Sequence, residues 1–136
     1  MKVSFTGSRQ GMTNAQKTTF NYLMYEMGIL LLIHGDCVGA DADAHNLAMN
    51  QLIEIRKRPC NIERLRAFSE GGEVVAEPEP PLNRNRKIID DGEQLIACPD
   101  SFQEKQRSGT WATIRYAKKC HKAVTIIWPN GTTSVQ

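Results

Sequence analysis

No two cysteines or histidines in this chain are spaced to share a metal. Cys37, Cys60, Cys98 and Cys120 are scattered, no CxxC occurs, and His34, His45 and His121 form no HxxxH. That spacing argues against a zinc site, and no metal or cofactor is expected. No apolar run approaches the roughly 20 residues that span a bilayer, so no membrane association is expected. The opening MKVSFTG is strand-like and lacks the apolar region of a secretory leader, and with cysteines in no disulfide-like pattern a cytoplasmic, reduced protein is the expectation. Neither GxGxxG nor GxxxxGK[ST] is present, which removes the ordinary dinucleotide fingerprint and the Walker loop. A large charge of one sign is missing too: 17 Lys and Arg face 15 Asp and Glu, a net +2. A dedicated nucleic-acid binder carries a larger basic excess.

What is present fits one domain over residues 1–136, with 40% hydrophobic and 24% charged residues, ordinary values for a globular chain. Short apolar runs alternate with helix-like periodic runs, the pattern of an α/β fold with a parallel sheet. Five strands are expected: Val3–Thr6, Ile29–Ile33, Ile53–Arg58, Gln94–Ala97 and Ala123–Trp128. The charges of the third place it at a sheet edge. Thr13-x-x-Gln16 is a capping-box pattern, and Phe20, Leu23, Met24 and Met27 fall on one face of the helix that follows, closed by Gly28. A second helix carries Ala44, Leu47, Ala48 and Leu52, a third spans Leu82–Asp91, and a fourth follows Ser108. Helices should cover both faces of the sheet. Residues 60–81, with Gly71-Gly72 and Glu77-Pro-Glu-Pro-Pro81, read as an irregular insertion, and Pro129–Gln136 as a loose tail.

Glycine-rich turns fall after three of these strands, each just before a helix: Gly7, then Gly35 and Gly39, then Gly109. Helix N-termini at the carboxyl ends of parallel strands bind anions through unpaired N–H groups and a partial positive charge. In RSGTWATIRYAKK, Ser108 or Thr110 can cap the helix while the bare Gly109 lets an anion approach the backbone. His34, which ends a buried strand, reads as a hydrogen-bonded structural residue or as a general acid. Trp111 reads as core or as a base-stacking residue.

Four motifs occur in order: TGSR (Thr6–Arg9), HGDCVGAD (His34–Asp41), PLNRNRKII (Pro81–Ile89) and SGTWATIRYA (Ser108–Ala117). Together they resemble the SLOG superfamily, the Rossmann-like group that includes DprA and the lysine decarboxylase-like LOG proteins. Within it they are most similar to small single-domain members of the YspA/YpsA-related kind. The resemblance implies an open parallel sheet and a pocket over the strand ends for a nucleotide or nucleotide-derived ligand. It places Gly7, Ser8, Arg9, Gly35, Gly39, Ala40, Asp41, Arg84, Asn85, Ser108, Gly109 and Thr110 around that ligand. Arg9 and Arg84 would grip phosphate with planar forks, with Arg107 as a further cation. SLOG relatives often pair, so the resemblance also implies a homodimer.

LOG proteins hydrolyse nucleoside 5′-monophosphates, and their motif PGGxGTxxE carries a catalytic glutamate. Aligning Gly109-Thr110 with that GT puts Thr113 where the glutamate belongs. An oxocarbenium-like transition state needs a nearby carboxylate, so a hydrolase would require Asp41 or Glu104 in its place. Asp41 also reads as a favourable charge at a helix start, and Glu104 as a solvated loop carboxylate. The leading expectation is therefore a nucleotide-binding module without turnover, with a phosphoribohydrolase second. DprA-like single-stranded DNA binding comes third. The basic residues Arg56 to Arg66 allow it, while the small net charge and the lack of interleaved aromatics speak against a nucleic-acid partner.

Overall fold

The computed structural model describes residues 1–136. In chain order the elements are β1 (Lys2–Gly7), α1 (Asn14–Glu26), β2 (Leu31–His34), α2 (Ala40–Asn50), β3 (Glu54–Lys57), a 3-10 turn (Glu63–Leu65), β4 (Glu73–Val74), α3 (Pro81–Asp91), β5 (Gln94–Cys98), α4 (Gly109–Lys119), β6 (Val124–Ile127) and β7 (Thr133–Val135). The strands form one sheet in the order β4-β3-β2-β1-β5-β6-β7. All neighbours pair parallel except β6 and β7. The sheet has seven strands rather than five, because two segments expected to be irregular each supply a short edge strand. Tail residues Thr133–Val135 turn back on β6, register Thr125↔Val135. In the 60–81 segment, Glu73–Val74 pairs with β3, and isolated bridges tie Cys37 to Arg66 and Cys60 to Glu79.

Alternation along the strands divides the core into two layers. Val3, Phe5, Leu32, Ile55 and Ile96 pack with Phe20 and Met24 of α1 and with Ala40, Ala44 and Ala48 of α2. Leu95, Ala97, Val124 and Ile126 face the other way, toward Ile89 of α3 and Trp111, Ile114 and Ala117 of α4. Helices thus cover both faces. α1 starts as its sequence dictates, with Thr13 Oγ1 accepting from the Gln16 N–H at 3.0 Å and Gln16 Oε1 from the Thr13 N–H at 3.0 Å. Gln16 is itself buried, and its amide Nε2 donates to the carbonyls of Pro99 and Ile127. Gly28, at φ +62°, closes the helix.

β3 is not an edge strand. β4 covers it, and Lys57 is buried with its ammonium donating to the Ser69 carbonyl at 2.7 Å. A charge in a strand marks an edge only when no carbonyl comes to meet it. No helix is long and apolar enough to cross a membrane.

The chain builds outward from β1 through β2, β3 and β4, then returns via α3 to lay β5 on the other side of β1. Strand order therefore reverses between β1 and β5, the place where open parallel sheets hold their ligands.

Candidate functional site

A cleft of about 480 Å³ opens over the carboxyl ends of β1 and β5, within the range of small-molecule sites, ~300–1,000 Å³. β1 supplies its floor with Phe5, Thr6 and Gly7, and the loop beyond adds Ser8 to Gln10. Gly35, Cys37 and Asp41 come from the β2–α2 turn, and Pro81 to Asn85 from the start of α3. The far wall is the segment Ser108–Thr110 at the start of α4, with Asp100, Lys105 and Arg107 from the loop before it. Four cations and two carboxylates therefore line the space, and one of each, Lys105 and Asp100, is paired at 2.9 Å.

The N-terminus of α4 is arranged as its sequence suggests. Ser108 is the cap, its Oγ accepting from the Trp111 N–H at 3.3 Å. The N–H groups of Gly109 and Thr110 have no protein acceptor, and a Cβ on Gly109 would meet nothing within 4 Å. Two bare donors at the positive end of an eleven-residue helix thus face open space. Arg9 and Arg107 line the same cleft, both exposed, and neither forms an ion pair.

The N-terminus of α2 is braced against the β1–α1 loop, although the N–H groups of Asp41 and Ala42 have no protein acceptor there either. Its Ala40 N–H donates to the Ser8 carbonyl at 2.9 Å, and Asp43 Oδ2 accepts from the Met12 N–H at 2.8 Å. Gly39, at φ +92°, is bare because a Cβ there would overlap the Arg9 carbonyl. Gly7 is bare because a Cβ would stand 2.5 Å from that of Ala40. Gly39 and Ala40 therefore join two loops and do not line the cleft, while Gly7, Ser8 and Arg9 do.

Arg84 is buried. Its Nη1 donates to the carbonyls of Gly35 at 2.6 Å and Arg58 at 3.1 Å, its Nε to Asn85 Oδ1 at 2.9 Å, and its Nη2 to Cys37 Sγ at 3.4 Å. The fork thus binds the ends of β2 and β3 together. Asn85 offers the cleft an amide NH₂ with no protein acceptor. Asp41 is buried at the cleft wall and accepts from the Cys37 N–H at 3.1 Å. Burial raises its carboxyl from an ordinary 3.8 to about 6, against the opposing pull of Arg84 and the backbone N–H of Cys37. The Cys37 thiol is pushed up to about 11 by burial and by Asp41.

Glu104 is not brought to the cleft. It is exposed and paired with Arg115 at 2.7 Å. Thr113, at the position of the missing glutamate, is buried with its hydroxyl donating to the Gly109 carbonyl. Trp111 is buried among α4, β5 and β6. His34 is structural: its Nδ1 accepts from the Asp36 N–H, its Nε2 meets His45 Nδ1 at 3.0 Å, and His45 Nε2 meets the Glu70 carbonyl at 2.6 Å. Burial and the neighbouring His45 lower it to about 3, so it stays neutral. Sequence reading missed Lys105 as a lining residue, and a lysine in a polar loop carries no signal that could have singled it out.

No family model matches the chain, and no curated protein matches it. A solved structure does: DNA processing protein A from Helicobacter pylori, described for its single-stranded DNA binding mode. The TM-score is 0.62 at 20% identity, over 93% of this chain and 64% of that one. The chain spans less than two thirds of that protein's length. This match overturns the expectation, drawn from net charge, that nucleic acid is no partner, since a protein of this fold is described as binding single-stranded DNA. The physical reason is local: the sum over the chain hides Arg9, Lys105 and Arg107, which converge on one cleft. At this identity the likeness establishes the fold, and the chain carries the Rossmann-like α/β architecture found in DNA processing protein A.

Proposed function

We propose that the cleft binds single-stranded DNA, seating one backbone phosphate on the free N–H groups of Gly109 and Thr110 with Arg9 and Arg107 on either side. The observation that carries this reading is the coincidence of two unpaired donors with two unpaired arginines at the switch point of the sheet. Arg84, whose fork is taken up by protein acceptors, holds the site's walls rather than the phosphate. Phe68 and Phe102 are exposed rings on the segments that contribute Leu65 and Lys105 to the cleft, each with one face covered, by Arg66 and by Trp128. Rings of this kind stack on bases without regard to sequence. The ordered motifs further support a place among the small single-domain SLOG proteins of the YspA/YpsA-related kind.

The test is fluorescence anisotropy with labelled oligothymidylates of increasing length that carry no terminal phosphate. Affinity should rise with length and fall steeply between 50 and 200 mM salt, as counterion release requires. Absent or salt-insensitive binding rejects the reading.

One observation favours a second reading, a nucleoside 5′-monophosphate as ligand or substrate. Asp41 is a cleft carboxyl raised to about 6, in the range of a general acid or base near neutrality. Release of free base from a panel of monophosphates, lost in Asp41→Asn, would establish turnover. An intact panel removes it.

A further inference from the structure

We propose that Arg115, which does not line the cleft, is the positioning residue that fixes the loop before α4 so that Lys105 and Arg107 face the ligand. The importance of that orientation rests on the reading of the cleft as a phosphate site.

Residues 104–107 divide cleanly between two neighbours. Arg115 Nη1 donates to Glu104 Oε2 at 2.7 Å, and its Nη2 donates to the Gln106 carbonyl at 3.1 Å. The alternate residues, Lys105 and Arg107, line the cleft. One planar guanidinium therefore takes two non-adjacent points of the loop, which a lysine ammonium has no fork to do. Arg115 stands on α4, six residues beyond Gly109, so the loop is indexed to the helix whose N–H groups form the far wall. Elsewhere the loop has its own ties. Lys105 Nζ meets Asp100 Oδ1, and the Phe102 ring stacks on Trp128 with centroids 6.1 Å apart. Toward α4 the Ser108 N–H donates to the Lys105 carbonyl at 3.2 Å, and Arg115 adds the side-chain hold on Glu104 and the Gln106 carbonyl.

A solvated ion pair and a positioning pair differ in sign. Glu104 and Arg115 are both exposed, with side-chain accessibilities of 52% and 41%. If they acted by charge alone, removing Glu104 would strengthen the binding of an anion and removing Arg115 would weaken it. If the pair orients the loop, either loss weakens binding.

The experiment uses Glu104→Gln, Arg115→Gln and the exchange Glu104→Arg with Arg115→Glu. The first readout is trypsin cleavage of the native protein after Arg107, identified by mass spectrometry; the Lys105 bond is left out because it adjoins the substituted residue 104. Both single variants should be cut about two- to five-fold faster at this bond, the scale of an exposed pair, with the unfolding midpoint unchanged. The exchange, which adds a site after residue 104, should return toward wild-type protection at Arg107. The second readout is anisotropy with a labelled oligothymidylate, where both single variants should lose about two- to five-fold in affinity and the exchange should recover it. Unchanged cleavage overturns the proposal, and so does tighter binding by Glu104→Gln. A wild-type protein that binds no oligonucleotide rejects the DNA reading instead, and cleavage then decides Arg115's hold on the loop by itself.

Discussion

The Gly35 carbonyl accepts from Arg84 Nη1 at 2.6 Å, and the Gly35 Cα lies so close to the same guanidinium that a Cβ would stand 2.6 Å from Cζ. Glycine and arginine here form one unit at the end of β2. Gly35→Ala should destabilise the fold by about 1–3 kcal/mol, because the guanidinium is held by four acceptors and has nowhere to move. Arg84→Met should cost about 2–3 kcal/mol by leaving the carbonyls of Gly35 and Arg58 unpaired. Urea unfolding followed by tryptophan fluorescence measures both. A midpoint within error of wild type for Gly35→Ala would mean that the clamp yields.

Asp41 makes stability depend on pH in a defined direction. Its carboxyl is raised in the folded state, so its contribution is fully present below pH 3.8 and is lost as pH rises through about 6. A shift of that size is worth about 3 kcal/mol. Asp41→Asn keeps an oxygen for the Cys37 N–H and removes the titration. The variant should match or exceed wild-type stability at pH 7.5, and the difference should shrink toward pH 4. A difference that stays constant across this range would contradict the assignment.

The same carboxylate opposes an anion in the cleft. Binding of an oligonucleotide made only of phosphodiesters, which do not titrate here, should tighten as pH falls through about 6. In Asp41→Asn the gain should vanish. Titrations at pH 5.5 and 7.5 on the two proteins suffice.

At the start of α4, folding and binding can be separated. Ser108→Ala loses the cap and should cost about 1 kcal/mol of stability. Gly109→Val adds bulk where no atom lies within 4 Å of the new Cβ, so stability should change by no more than about 0.5 kcal/mol. Affinity for the oligonucleotide should nevertheless fall about tenfold, ~1.4 kcal/mol, for one lost phosphate contact. Undiminished affinity in Gly109→Val would move the phosphate away from this helix.

Arg9→Gln and Arg107→Gln should each weaken binding across all sequences and reduce the salt slope by about 0.7. A slope unchanged by either variant would show that its arginine does not neutralise a phosphate.

Much of this frame can be read from the residues, because the relevant signals are local. Thr13 and Gln16 mark a helix start by chemistry confined to four positions, and the apolar runs mark buried parallel strands by their own composition. Ser108 and Gly109 announce a cap and a bare backbone in the same way. What escapes such reading depends on partners far along the chain. The burial of Lys57 relies on the Ser69 carbonyl, and β7 exists only because Thr133–Val135 meets β6. Gly35 and Gly39 look alike in sequence as glycines of one turn. Arg84 explains the first and the Arg9 carbonyl the second, and neither reason is visible without the fold. Glu104 shows the same limit, since only three dimensions reveal Arg115 beside it.

The two margins of the sheet carry a consequence for how copies of this chain can meet. β4 offers two residues and β7 three. A strand arriving to extend the sheet would find too few backbone partners to hold a register, and fibrous stacking has little to template on. Self-association through main-chain pairing is therefore discouraged at both ends, and assembly would have to be written in side chains.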